Sequence, residues 1–124
     1  MAGIANTPKP PYYAVIFTST RTAGDHGYEA MAEQMVQLAS RQAGYLGIES
    51  VRVELGVTIS YWATLESIRA WHADIEHQFA QKMGYQVWYK NFKVRVCKVE
   101  RDYEFHRITA DHPSSTGDTG GLVN

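Results

Sequence analysis

From Tyr12 to Thr20 the run YYAVIFTST holds β-branched and aromatic residues with little alternation, the pattern of a strand covered on both faces and therefore central in its sheet. TAGDHG supplies turn residues, with Asp25 placed to cap a helix. Beyond it Tyr28, Met31, Ala32, Met35, Leu38 and Ala39 recur at spacings of three and four, which predicts an amphipathic helix. After Gly44, YLGIESVRV reads as a second strand ended by a turn near Leu55 and Gly56. VTISYWA then alternates, Val57, Ile59 and Tyr61 against Thr58, Ser60 and Trp62, and predicts a third strand in a hairpin with the second. Thr64 is a fitting N-cap for LESIRAWHADIEHQFAQKM, whose Leu65, Ile68, Ile75, Phe79 and Met83 form one stripe, with Gly84 as its stop. Tyr85, Trp88, Tyr89 and Phe92 sit at helical spacing and predict a short aromatic turn before a last strand over 93–105.

The order β-α-β-β-α-β, folded by the handedness rule for crossovers, gives an α+β fold: a ferredoxin-like split β-α-β sheet with both helices on one face and strands one and three central. Tyr13, Val15 and Phe17 alternate with Ala14 and Ile16, so both faces of the first strand want cover, which a second copy packed sheet to sheet would supply. In the last strand Val99, Arg101, Tyr103 and Phe105 alternate with Glu100, Asp102, Glu104 and His106, carrying it past its neighbours. We expect a homodimer of the dimeric α/β barrel type, joined by the sheet face and by pairing of this C-terminal extension. Residues 1–11, with three prolines in PKPP, read as a loose lead; 12–106 is the domain; 107–124, rich in Ser, Thr, Gly and Asp, reads as a disordered tail.

Composition narrows the function classes. The 124 residues suffice for one domain, and 44% hydrophobic with 20% charged residues describes an ordinary globular chain. A net charge of −1 leaves no phosphate-tracking stripe, so no nucleic-acid partner is expected. No stretch of about 18 apolar residues or leader pattern occurs, so neither a membrane nor export is expected, and the cytoplasm is the default. Cys97, the single cysteine, forbids an intrachain disulfide and reads as a packed, inert thiol.

HExxH, CxxC, GxSxG and phosphate-loop patterns are all missing, and His72 and His77, five apart, lie roughly 140° apart on a helix and cannot share a metal. At roughly 100° per residue His72 falls inside the apolar arc of the second helix and His77 opposite it. His72 is therefore expected to face the sheet, either as a satisfied core histidine or as an acid-base group, and His77 to be solvated. Tyr61 and Trp62 face opposite ways, so only one of them lines a cavity beneath the helices. Tyr28, Trp62, Trp71, Trp88 and Tyr89 form either an aromatic core or a pocket for a flat organic ligand.

Several segments resemble the antibiotic biosynthesis monooxygenase domains, small dimeric ferredoxin-like proteins: YYAVIFTS, GYLGIESVR, ISYWATLESIRAWHADIEH and VRVCKVERDYEF, across about residues 12 to 105. The most specific part is Trp62 followed by the Thr64 to Trp71 segment. The resemblance implies a cofactor-free monooxygenase of a quinol- or anthrone-like substrate: a base takes a phenolic proton, and the anion passes an electron to O2 without metal or flavin. In that scheme His72 is the base, Trp62, Trp71 and Trp88 wall the pocket, and Tyr28 or Tyr89 donates to the developing oxyanion. Two alternatives stand beside it. The haem-degrading branch pairs an Asn on strand one with a Trp and a ligand His ten residues beyond it; this sequence matches at Trp71 only, has no Asn in YYAVIFTST and carries Gln81 at the ligand position. The other is a non-catalytic dimeric module that binds an aromatic metabolite.

Overall fold

A computed structural model describes residues 3–78 and 82–108. The chain runs through β1 (Tyr12–Arg21), α1 (Tyr28–Ser40), β2 (Tyr45–Arg52), β3 (Leu55–Trp62), α2 (Leu65–Gln78), α3 (Lys82–Trp88) and β4 (Tyr89–Val99). The strands form one antiparallel sheet in the order β2-β3-β1-β4, so β1 and β3 are central, as the uniform hydrophobicity of β1 demands. This is the ferredoxin-like α+β fold read from the sequence.

Local chemistry fixes the helix starts. The Asp25 carboxylate accepts from the backbone N–H groups of Gly27 at 3.0 Å and Glu29 at 3.2 Å, capping α1 from just upstream. Thr64 caps α2 as expected: its hydroxyl accepts from Ser67 N–H at 3.0 Å, while the Ser67 hydroxyl accepts from Thr64 N–H at 3.3 Å. Ser67 is also buried, wedged against Gly44, which adopts a left-handed φ of 87° and whose carbonyl accepts from Ala63 N–H at 2.8 Å.

Three boundaries differ from the sequence reading. The β2–β3 turn is Val53 and Glu54, and Leu55 and Gly56 belong to β3. Gly84 lies within α3 rather than ending the preceding helix. The last strand is Tyr89–Val99; residues 100–108 continue beyond the sheet, exposed and outside any strand. The expected stripe residue Phe79 and the tail from 109 onward lie outside the described residues, as does the side chain of Met83.

Register assigns the faces. Tyr13, Val15 and Phe17 pair with Trp62, Ser60 and Thr58 on the helix side; Ala14, Ile16 and Thr18 pair with Tyr61, Ile59 and Val57 on the other. The core is Val15, Ala39, Trp62 and Ile68, flanked by Tyr13, Tyr45 and Trp71. On the second face the lead makes hydrogen bonds near the sheet. Ala5 N–H donates to Glu49 at 2.9 Å, and the Tyr12 hydroxyl accepts from Thr7 at 2.9 Å while donating to Asp102 at 2.5 Å. The prolines remove donors, and the backbone and side-chain groups of Ala5 and Thr7 find partners on the sheet instead. Cys97, opposite Ala14 on this face, is exposed and not packed, because β4 is an edge strand.

Candidate functional site

The inward stripe of α2 is turned from the one expected. Its buried residues are Ser67, Ile68 and Ile75, with Trp71 half-buried between them, whereas Leu65 is 41% exposed and His72 is exposed. The reason is Ser67: docking its small side chain under Gly44 rolls the helix toward the α1–β2 loop and lifts Leu65 and His72 onto the flank. His72 therefore does not face the sheet as a core group. Asp74, roughly 200° around the helix from it, accepts from Gln42 beyond the end of α1 at 2.8 Å. His72 thus lies on the flank of α2 turned away from α1. His77 is exposed, as expected.

The five aromatic residues expected to share a pocket fall into two groups. Trp62 is fully buried at 0% exposure, stacks on Trp71 with centroids 4.8 Å apart, meets Tyr45 edge-on at 5.7 Å and donates Nε1–H to Ser60 at 2.9 Å. It is core and walls no cavity; Tyr61 is on the opposite face. Trp71 keeps a buried Nε1–H without a partner among the described residues. Tyr28 and Tyr89 belong to the other group, edge-on at 5.7 Å, with Tyr89 continuing to Phe17 at 5.4 Å and Phe92 at 5.7 Å. Phe17 stacks on Phe92 at 5.2 Å and Tyr85 meets Phe92 at 5.7 Å. Trp88 fastens this end, donating Nε1–H to the His26 carbonyl at 2.8 Å and accepting from Thr22 N–H at 3.0 Å. Opposite Trp62 on β1 stands Tyr13, and opposite Tyr89 stands Arg21, eight positions on and about 26 Å along the strand.

Beside the second group the described residues leave part of the sheet exposed. Val15 and Phe17 are matched on β4 by Val96 and Val94, so these residues and Phe92 look toward the helix layer. Val96, Val94 and Phe92 are nevertheless 52%, 49% and 44% exposed, because α1 and α2 stand over the β2–β3 side. The result is an exposed apolar strip along β4, termed the β4 groove, with Phe17, Tyr85, Tyr89 and Phe92 at one end. Burial pushes the Tyr89 hydroxyl well above its usual value; neighbouring Tyr28 adds to this, and Arg52 and Arg21 pull the other way. Tyr89 is thus a neutral hydrogen-bond donor throughout the neutral range.

The chain is 47% identical over 110 residues, 87% of its length and 96% of the relative's, to the uncharacterized protein YqjZ of Bacillus subtilis (strain 168). It belongs to the YqjZ family. No family model matches the chain. Among solved structures, the YqjZ-family chain is similar to SnoaB, a cofactor-independent oxygenase from Streptomyces nogalater (TM-score 0.58, 12% identity, 75% of this chain and 97% of that one). It is also similar to a candidate antibiotic biosynthesis monooxygenase from Bacillus cereus (0.52, 15%, 77% and 100%) and to PA3566 from Pseudomonas aeruginosa (0.53, 20%, 76% and 97%). These likenesses give it the antibiotic biosynthesis monooxygenase fold.

In this YqjZ-family chain sequence reasoning missed the β4 groove and the two arginines at its end. Val94 and Val96 sat in a strand whose covering was unknown, and no periodicity reports where a helix layer stops. Gln81, the position aligned with a haem-ligand His, lies outside the described residues. No three His, Cys, Asp or Glu side chains converge on a metal site among the described residues, where no helix is long and apolar enough to cross a membrane.

Proposed function

We propose that the chain is a cofactor-independent monooxygenase of an aromatic, quinol- or anthrone-like substrate, acting as a homodimer. The observation that carries this reading is the apolar surface along β4: exposed Phe92, Val94 and Val96 bordered by Phe17, Tyr85 and Tyr89, on which a flat ring system could lie. The fold shared with SnoaB supports the reaction class. Trp62, a core residue, drops out of the pocket; Trp88 and Tyr28 hold its closed end, and Trp71 lies behind the core.

Deprotonation comes first. His72, on the α2 flank turned away from α1 and so toward the uncovered side of the sheet, takes the phenolic proton and leaves an electron-rich anion. The anion passes one electron to O2; the radical pair joins as a peroxide on the ring carbon, and O–O cleavage releases water, leaving a carbonyl where the substrate carried CH2. One oxygen atom enters the product and one the water. Tyr89, held neutral, donates to the developing oxyanion, and the apolar walls keep water from the anion.

The dimer reading rests on two features: the second sheet face carries Ile16, Val57 and Ile59, and the extension past Val99 exposes Tyr103 and Phe105. A second copy would cover both.

An oxygen electrode with an anthrone as substrate tests the activity. Wild-type protein consumes O2, and His72→Ala lowers the rate by about 10² to 10⁴ with an unchanged melting curve, because an exposed side chain is lost. An inert wild type overturns the reaction; an unchanged His72→Ala rate overturns the base. A monomeric mass by sedimentation overturns the dimer.

A further inference from the structure

At the end of the sheet beyond Tyr89, Arg52 performs an unusual crossing. It belongs to edge strand β2, yet its guanidinium reaches over β3 to β1, where Nη2 donates to the Ser19 hydroxyl and Nη1 to the Ser19 carbonyl at 3.5 Å. The path lies over Gly56, its cross-strand neighbour: a Cβ there would sit 2.1 Å from Nη2. Glycine near the start of this strand is the opening through which the arginine passes.

Arg21 arrives from the other side. Its Nε donates to the Trp88 carbonyl at 3.2 Å and its Nη2 to the Gly24 and Asp25 carbonyls at 3.1 and 3.4 Å, and its guanidinium lies 3.6 Å from the centre of the Tyr28 ring. The Arg52 guanidinium is 5.7 Å from the same ring. Two half-buried cations are thus held side by side by neutral groups. Neither has a carboxylate within 4.0 Å among the described residues, where the single ion pair is Glu104 with His106. Each keeps unspent N–H donors: Nε on Arg52, Nη1 on Arg21. They line a recess of about 520 Å³ with Thr20, Val53, Glu54 and Lys90, three cations against one acid.

Partly desolvated guanidinium groups without a counter-charge are costly to hold, and fixing two of them in place is the arrangement that recognises an oxyanion. We propose that this recess binds the oxyanion group, carboxylate or phosphate, of a small ligand, with Arg21 and Arg52 as its inner clamp and Lys90 at its rim. The site stands apart from the oxygenase reading, since binding is measured without turnover.

The test is calorimetric titration of the full chain at low ionic strength with sodium benzoate and, separately, with sodium phosphate. One saturable site per chain is expected, weakened about tenfold by Gly56→Ala, by Arg52→Gln and by Lys90→Gln, and weakened further by added salt. Gly56→Ala is the sharpest variant: the atoms nearest the new methyl belong to the far end of the flexible Arg52 side chain, so Arg52 swings out while the melting curve holds. Lys90→Gln changes an exposed residue and keeps the test decisive if Arg52→Gln folds poorly. Saturation by benzoate alone identifies a carboxylate ligand and saturation by phosphate alone a phosphate; both sustain the site. No saturable binding of either anion, or undiminished binding in Gly56→Ala and Lys90→Gln, overturns it.

Discussion

Replacing Trp62 by Ala separates a structural aromatic from a ligand-binding one. The indole has no exposed surface, so its loss removes contact with Trp71, Tyr45 and Val15 at the centre of the core. Truncating a buried Trp costs about 3 to 5 kcal/mol through lost transfer energy and the cavity left behind. The offset stack on Trp71 and the edge contact with Tyr45 place this site at the upper end, each aromatic pair adding about 0.5 to 1.5 kcal/mol. A further contribution comes from Ser60, 2% exposed, whose hydroxyl accepts the indole N–H and would keep no such donor. A hydroxyl stranded in this way costs about 1 to 3 kcal/mol, so Ser60→Ala in the Trp62→Ala background should restore part of the loss. Urea unfolding followed by far-ultraviolet circular dichroism reads the wild type and both variants without relying on tryptophan emission. A Trp62→Ala cost below about 2 kcal/mol, or a double variant no more stable than the single one, would show that the indole is not the core element described.

Gly44→Ala should destabilise by about 1 to 3 kcal/mol, since it forces a side chain into left-handed backbone. The new Cβ would also lie 2.5 Å from the Ser67 hydroxyl, so a melting temperature equal to wild type would refute the docking of α2 on this glycine. The phenols of Tyr12, Tyr45, Tyr61, Tyr85 and Tyr89 are raised above the ordinary tyrosine value, chiefly by burial, with Asp102 acting on Tyr12 and Glu49 on Tyr61. The folded state then holds protons that the unfolded chain releases near pH 10; this stabilisation is complete below about pH 10 and is lost as pH rises further. Urea midpoints should fall from about pH 10 upward, and tyrosinate absorbance should rise together with unfolding; full tyrosinate absorbance in a still-folded protein would refute it.

Hydrophobic periodicity carried the architecture because each element of this sheet buries one recognisable face. It misjudged α2 because Ser67, a polar residue, is buried: its place depends on a missing side chain at Gly44, which no period encodes. The same limit divided the aromatic set. Trp62, Trp71, Tyr28 and Tyr89 all lie on the helix side of the sheet, but register sends the first two to one end and the others to the far end. Arg52 escaped notice for a related reason, as its partner is two strands away. The clue was Gly56, which an alternating strand does not need and which was read as a turn.

The Tyr12 hydroxyl, accepting from Thr7 and donating to Asp102, clasps the segment that leads into β1 to the one that leaves β4. A second copy that recruits residues 100–108 into its own sheet must either carry the 3–11 segment along or open that clasp. In the dimer proposed above, assembly and the seating of the lead would then be thermodynamically linked, so a truncation before Tyr12 would change its dissociation constant.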